Sequence, residues 1–122
     1  MTTMMQPKPN YERGEIILVL FPHSDLRTAK PRPALIVQAD DLQTGLPQVI
    51  VAMITSKLFR ANHPSRVLIR LSTPEGQRSG LLTDSVVMTD NLATIAEVAV
   101  ERVVGTLPMK DVDQGLRHTL GL

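Results

Sequence analysis

Two prolines, Pro31 and Pro33, alternate with the cations Lys30 and Arg32 directly before an apolar run at residues 34–37. A proline fixes its own φ near about −65° and disfavours helical geometry at the residue before it, so both cations must be extended. The apolar run predicts a buried strand at residues 34–38, with Arg32 at its opening. A guanidinium with so little backbone freedom suits phosphate binding. The plainer alternative is a surface charge that ends a strand.

Five other short runs have the composition and boundaries of strands. In one of them Arg66, Leu68 and Arg70 alternate with apolar residues, so this strand is predicted to be half exposed. Pro74 is predicted to lie in a loop. Asp90 is predicted to lie where the strand at residues 85–88 ends. The five runs are residues 14–21, 48–54, 65–71, 85–88 and 100–105.

One amphipathic helix is predicted at residues 109–120, because Met109, Val112, Leu116 and Leu120 recur at helical spacing before Gly121. Many short strands and a terminal helix predict a mainly β (α+β) domain, a small, strongly bent antiparallel sheet or barrel with the C-terminal helix packed on it. Residues 1–10 have no periodicity and are predicted to be a disordered leader. The domain is predicted to span residues 11–122.

Composition excludes several functions. The 122 residues contain no cysteine, which removes disulfides, thiolate catalysis and thiolate zinc sites. The three histidines have no ligand spacing, so no metal or other cofactor is expected. With a net charge of +1 and three aromatic residues, any nucleic-acid site must be a local patch rather than a stacking platform. The chain has no signal peptide and no long apolar run, so a cytoplasmic protein without a membrane partner is expected.

Polar residues at the predicted strand ends are the candidates for chemistry. Arg32 opens the second strand, Thr55 and Ser56 follow the third, and Asp90 and Asn91 follow the fifth. If these ends converge on one cleft, a guanidinium and a hydroxyl can bind the same phosphoryl oxygen. The alternative for Thr55 and Ser56 is ordinary turn capping.

Six blocks, in order along almost the whole chain, resemble the MazF/PemK (Kid-type) toxins of bacterial toxin–antitoxin pairs. They are residues 12–16, 32–37, 49–56, 84–87, 92–95 and 120–122. The resemblance implies an SH3-like barrel with a C-terminal helix, a homodimer and a cognate antitoxin. It also implies a metal-independent endoribonuclease that cuts single-stranded RNA, often mRNA, at short sequences. In that family the ribose 2′-hydroxyl attacks the adjacent phosphate and leaves a 2′,3′-cyclic phosphate and a 5′-hydroxyl.

The resemblance also implies roles for individual residues. Arg32 matches an arginine assigned to acid/base work and charge stabilisation, and Thr55 matches a threonine that holds the scissile phosphate. Ser56 and Asp90 match nearby substrate-contacting positions. The other residues predicted to bind substrate are Asp25, Arg27, Lys30 and Asn91.

The general base is left open by the sequence. Arginine has a pKa above about 12 and is a poor base, so Arg32 is assigned to transition-state stabilisation and proton donation. The predicted candidates for the base are Asp25, His23 and Asp90. His23 has the most suitable intrinsic pKa, although a solvated loop histidine is the favoured interpretation of this residue.

Departures from the family pattern support a second hypothesis. Met88 and Ala93 stand where many members carry arginine, and Leu26 and Arg27 stand where some carry a His-Glu pair. The alternative is therefore a non-catalytic SH3-like interaction module, or a toxin that binds a protein target such as a topoisomerase. In both cases the expected antitoxin is an acidic segment that is disordered until it binds.

Overall fold

The computed structural model describes residues 11–22 and 29–122. The predicted leader therefore lies outside the described residues. The described strands are β1 (Glu15–Pro22), β2 (Ala29–Ile36), β3 (Gln48–Thr55), β4 (Arg66–Ile69), β5 (Ser85–Ala96) and β6 (Val100–Thr106). The helices are α1 (Pro74–Arg78) and α2 (Lys110–Leu120), and short 3₁₀ turns lie at Leu58–Ala61 and Glu97–Ala99.

The strands form one antiparallel sheet in the order β4-β5-β3-β2-β1-β6. This confirms the predicted mainly β fold with a C-terminal helix. Hydrogen bonding does not close the sheet into a barrel, because among the described residues β4 and β6 are its edges. Gly80 follows α1 and packs directly against the backbone of Val104 on β6, where a side chain at position 80 would collide with the carbonyl group.

The strand pattern produces a hydrophobic cluster on each face of the sheet. Ile16, Leu35 and Val87 belong to the cluster that α2 covers, and Val112 of α2 is fully buried in it. The other cluster collects the alternate residues of the same strands. Its buried members are Ile17, Val19, Ala34, Ile36, Val49, Val51 and Ile95. The continuous apolar runs of β1 to β3 are explained by this burial on two faces.

Strand β2 begins at Ala29, five residues before the predicted start at Ala34, so Arg32 lies inside the strand rather than at its opening. Pro31 and Pro33 pair with β1, whereas β3 pairs only with residues 34–36. Pro31 and Pro33 are two residues apart, so their backbone nitrogens face the same side of β2. This is the side on which β3 does not pair with them, so no hydrogen bond of the sheet is lost. A strand tolerates proline at such an edge.

Strand β5 continues through Asp90 and Asn91 to Ala96, so the prediction that these residues end a strand is wrong. Met53 pairs with Met88 and the preceding Ala52 pairs with Leu92, so residues 89–91 form a bulge. Thr89 fixes the bulge, because its N–H and its hydroxyl both donate to the carbonyl of Ser65, at 3.0 and 2.7 Å.

The prediction of a loop at Pro74 is wrong as well, because residues 74–78 form helix α1. Thr73 caps this helix by accepting a hydrogen bond from the N–H of Gly76 at 3.0 Å, and Pro74 suits the first turn. Helix α2 spans Lys110–Leu120 and stops at Gly121, as predicted from the sequence, and Gly121 caps it with a left-handed φ of 73°. Within the described residues, no helix is long and apolar enough to cross a membrane.

Candidate active site

A cleft of about 990 Å³ opens at the end of the sheet where β2 and β3 stop pairing. Most of its wall comes from four stretches that are distant in sequence, and the rest comes from β1, β5 and the 3₁₀ turn after β3. The four stretches are residues 30–33, 53–57, 80–83 and 102–104. Four of the five residues that were predicted to lie at strand ends, Arg32, Thr55, Ser56 and Asn91, therefore contribute to one concave surface.

Arg32 and Thr55 both line this cleft. Ala34 pairs with Met53 in the last row of the β2–β3 ladder, and Arg32 and Thr55 lie two positions further along their strands. Because side chains alternate along a strand, the two residues share the face of Ala34 and Met53 and occupy the next row. The structure therefore brings the two predicted catalytic residues together, just beyond the last paired row.

The cleft is strongly cationic. Among the described residues, its lining includes five cations and no carboxylate. Three of the cations were missed in the sequence analysis. Lys57 and Arg60 lie within five residues of Thr55, so their proximity was a usable signal. Arg102 lies on β6, and only the pairing of β6 with β1 brings it to the cleft. The five are Lys30, Arg32, Lys57, Arg60 and Arg102.

Thr55 also caps the turn that follows β3, which was the alternative to a catalytic role. Thr55 Oγ1 accepts a hydrogen bond from the N–H of Lys57 at 3.2 Å. A hydroxyl is both an acceptor and a donor, so the Thr55 hydroxyl hydrogen can still donate to a group in the cleft. Ser56 and Asn91, two of the residues predicted to bind substrate, line the same cleft.

Asp90 does not line the cleft. Its two carboxylate oxygens accept hydrogen bonds from Arg66 Nε and Nη2, at 2.8 and 2.6 Å. The hydrogen bonds from Arg66 lower the pKa of Asp90, which makes its carboxylate a weaker base. Arg66 also donates from Nη1 to the backbone carbonyl of Arg60 at 3.0 Å.

Met88, one of the departures from the family pattern, lines the cleft beside a cation. Arg60 Nη1 lies 3.7 Å from Met88 Sδ. The other candidates for the base and for RNA contacts in the loop after β1, His23, Asp25 and Arg27, lie outside the described residues. In the part of the chain that the structure describes, no three His, Asp or Glu side chains are grouped so that they could hold a metal ion.

A sequence model of the PemK-like, MazF-like toxins of type II toxin–antitoxin systems matches residues 12–120. The chain belongs to this PemK/MazF family. Relatives named endoribonuclease MazF2, from Mycobacterium bovis, and endoribonuclease MazF6, from Mycobacterium tuberculosis, are each 36% identical to it over 107 residues. That region covers 84% of this chain and 90% of each relative. The family and the enzyme class, an endoribonuclease, agree with the sequence prediction.

Solved PemK/MazF structures have the same fold. A MazE–MazF complex from Deinococcus radiodurans superimposes with a TM-score of 0.71 at 15% identity and covers 94% of this chain and 99% of that one. A mycobacterial endoribonuclease in complex with its cognate antitoxin gives 0.68 at 23% identity and covers 92% and 96%. At these identities the likeness supports the fold alone.

Proposed function

We propose that this PemK/MazF protein binds single-stranded RNA in the cationic cleft and cleaves it without a metal ion. The observation that carries the proposal is the placement of Arg32 and Thr55 in adjacent strands, on one face, within a cleft whose described lining has five cations and no carboxylate. A phosphodiester is an anion at every step of its cleavage. A cleft with this charge therefore stabilises both the bound strand and the extra charge of the transition state.

The proposed reaction transfers the phosphorus between two oxygens of the RNA. The ribose 2′-oxygen loses its proton and bonds to the adjacent phosphorus. The bond from phosphorus to the 5′-oxygen then breaks, and this oxygen takes up a proton. The products are a 2′,3′-cyclic phosphate and a 5′-hydroxyl, and no water is consumed.

Arg32 and Thr55 stabilise the pentavalent phosphorane in this mechanism. The guanidinium of Arg32 donates to the non-bridging oxygens and compensates their charge, and the hydroxyl of Thr55 donates to the same phosphoryl group. Hydrogen bonds to charged groups contribute roughly 1.5–3 kcal/mol each. His23 and Asp25 are the candidates for the base that takes the 2′ proton. Asp90 is not one of them, because both of its carboxylate oxygens accept hydrogen bonds from Arg66.

The RNA backbone on either side of the scissile bond follows the remaining cations. Lys30 and Lys57 flank Arg32 and Thr55 in the lining, and Arg102 contributes from β6. Contacts of this type bind single strands without regard to base identity and become weaker as salt increases. The bases are read by other groups, for which Ser56 and Asn91 are candidates.

End-group analysis separates cleavage from the non-catalytic alternative. Single-stranded RNA is incubated with the pure protein and a chelator, and the ends are labelled before and after opening of cyclic phosphates. Cyclic-phosphate and 5′-hydroxyl ends are expected from the wild-type protein, and they should form about 10²–10³-fold more slowly with Arg32→Ala. Intact RNA with a folded wild-type protein would refute the nuclease and favour the interaction module. The contact of Arg60 with Met88 favours the nuclease, since the cleft has a cation at one departure from the family pattern.

An antitoxin is the proposed protein partner. A solved endoribonuclease of this fold is described in complex with its cognate antitoxin, and another as a MazE–MazF complex. In this chain the five cations of the cleft would attract an acidic segment, which would compete with RNA for them. We also propose that the protein is a cytoplasmic homodimer. Light scattering of the free chain tests the dimer, and loss of RNA cleavage with added acidic antitoxin peptide tests the competition.

A further inference from the structure

Arg60 is a partly buried cation whose guanidinium contacts an apolar side chain, Met88. It lies in the 3₁₀ turn Leu58–Ala61 and is only partly exposed, and its Nη1 lies 3.7 Å from Met88 Sδ. Its Cζ lies 5.8 Å from the ring centre of Phe59. The ion pairs among the described residues do not include Arg60. Its charge therefore remains available to an anion in the cleft.

Met88 connects Arg60 to the catalytic pair. Ala34, Met53 and Met88 are successive cross-strand partners on β2, β3 and β5, so they form one row on one face. Thr55 lies two positions beyond Met53, which makes it the diagonal neighbour of Met88. Such neighbours have Cβ atoms about 7–8 Å apart. The guanidinium of Arg60 therefore lies one strand away from Thr55, on the same face.

The turn that carries Arg60 is braced by an ion pair. Arg66 donates to the carbonyl of Arg60 at 3.0 Å through Nη1, and its other two nitrogens are held by Asp90. Three donors of one guanidinium thus connect the bulge of β5 to the 3₁₀ turn. Because the guanidinium is planar and rigid, this arrangement fixes the turn in a way that a lysine cannot reproduce.

We propose that Arg60 binds an RNA phosphate on the Met88 side of the scissile bond, and that Arg66 and Asp90 are positioning residues for its turn. The inference rests on the proposed function, because it assumes that the cleft holds RNA. It gives Asp90 a role different from the substrate contact predicted from the sequence.

Binding at several salt concentrations tests the phosphate contact. The probe is a mixed-sequence 2′-O-methyl oligoribonucleotide, which binds but cannot be cut because its 2′-oxygen is blocked. Arg60→Ala is expected to weaken binding roughly 10- to 100-fold, the range of a hydrogen bond to a charged group. The slope of log affinity against log salt should decrease by about 0.7, the value for one phosphate of a single strand. Arg60→Lys should keep the slope, and Arg117→Ala, at an exposed site on α2, should match the wild type.

An Arg60→Ala protein with the wild-type affinity and salt slope would refute the contact. That result leaves the proposed function standing if the wild-type protein still binds the probe and cuts unmodified RNA. A wild-type protein that neither binds nor cuts would instead refute the proposed function itself. The two failures are therefore distinguishable in one set of measurements.

The positioning role is tested with a double-mutant cycle. Asp90→Asn is expected to weaken probe binding several-fold in the wild-type background and to have no further effect in the Arg60→Ala background. An equal loss in both backgrounds would show that Asp90 does not act through Arg60. Arg66→Lys provides a second variant if Asp90→Asn does not fold, since lysine cannot contact Asp90 and the Arg60 carbonyl with the same geometry.

Discussion

Asp90 accepts two hydrogen bonds from the guanidinium of Arg66, at 2.8 and 2.6 Å, and this ion pair lies at the bulge of β5. Arg66 therefore stabilises the charged form of Asp90 and lowers its pKa below the ordinary value of 3.8. A carboxylate with a lowered pKa stabilises the folded state above its ordinary pKa. That contribution is lost as the pH falls through the folded-state value.

The first prediction concerns this pH dependence. Asp90→Asn should be less stable than the wild type at neutral pH, and the difference should decrease as the pH is lowered below 3.8, where the wild-type carboxylate becomes protonated. Urea denaturation of both proteins over this pH range measures the difference. A gap that stays constant with pH would show that the ion pair is not its cause.

The sequence predicted the sheet well because the signal was local. β1 and β3 are apolar runs bounded by glycine, proline or polar residues, and they lie where the runs predicted them. Helix α2 was predicted from its periodicity and from Gly121. The resemblance to the PemK/MazF family indicated how these elements assemble into one fold. The match of the family model to residues 12–120 confirms the resemblance.

The errors came from pairing, which single segments do not encode. Thr89, Asp90 and Asn91 have the composition of a strand end, yet β5 continues because Leu92 resumes pairing with β3. The prolines of β2 obscured its first half for a similar reason, since only the neighbouring strand shows which edge is unpaired.

The site was predicted in part for the same reason. Arg32 and Thr55 could be predicted as candidates because each is next to an apolar run, and the register places them in one row. Arg102 required knowledge of the β1–β6 pairing. Asp90 was predicted to contact the substrate from its place after an apolar run and from the resemblance, and its hydrogen bonds to Arg66, 24 residues away in the sequence, could not be predicted from either.

The second prediction concerns Gly115 inside α2. In most helices Gly→Ala is favourable, by up to about 1 kcal/mol. Here a Cβ at position 115 would lie 3.0 Å from Thr89 Oγ1 and 3.1 Å from Thr89 Cγ2. Gly115→Ala is therefore expected to destabilise the protein by about 1–3 kcal/mol, the usual cost of overpacking. Thermal unfolding compares it with Gln114→Ala, an exposed neighbour that should be neutral. A stabilised Gly115→Ala protein would show that Thr89 moves aside easily.

The third prediction measures how strongly α2 is attached to the sheet. Val112 is fully buried in the cluster that contains Ile16 and Leu35. Val112→Ala removes two methyl groups and leaves a cavity, at an expected cost of about 2 kcal/mol. Val98→Ala removes the same atoms at a site that is 93% exposed and should change stability by less than about 0.5 kcal/mol. Equal effects in urea denaturation would contradict the packing of α2 on this face.

The last prediction separates charge from geometry at Arg32 and Thr55, the proposed catalytic pair. Arg32 is exposed and Thr55 partly exposed, so neither substitution should unfold the protein. Arg32→Ala should reduce cleavage by about 10²–10³-fold, the loss seen when a donor to a transition-state charge is removed. Arg32→Lys keeps the charge without the planar fork and should retain an intermediate rate.

Thr55→Val keeps the shape of Thr55 without its hydroxyl, and roughly 10- to 100-fold slower cleavage is expected from the loss of one hydrogen bond to a charged group. The valine variant also loses the cap on Lys57, so a second control is needed. Thr55→Ser restores both the cap and the donor, and it should recover most of the rate if the hydroxyl acts on the phosphate. Single-turnover cleavage, with circular dichroism to verify folding, measures all four variants. A folded Arg32→Ala protein that cuts RNA at the wild-type rate would remove Arg32 from the mechanism.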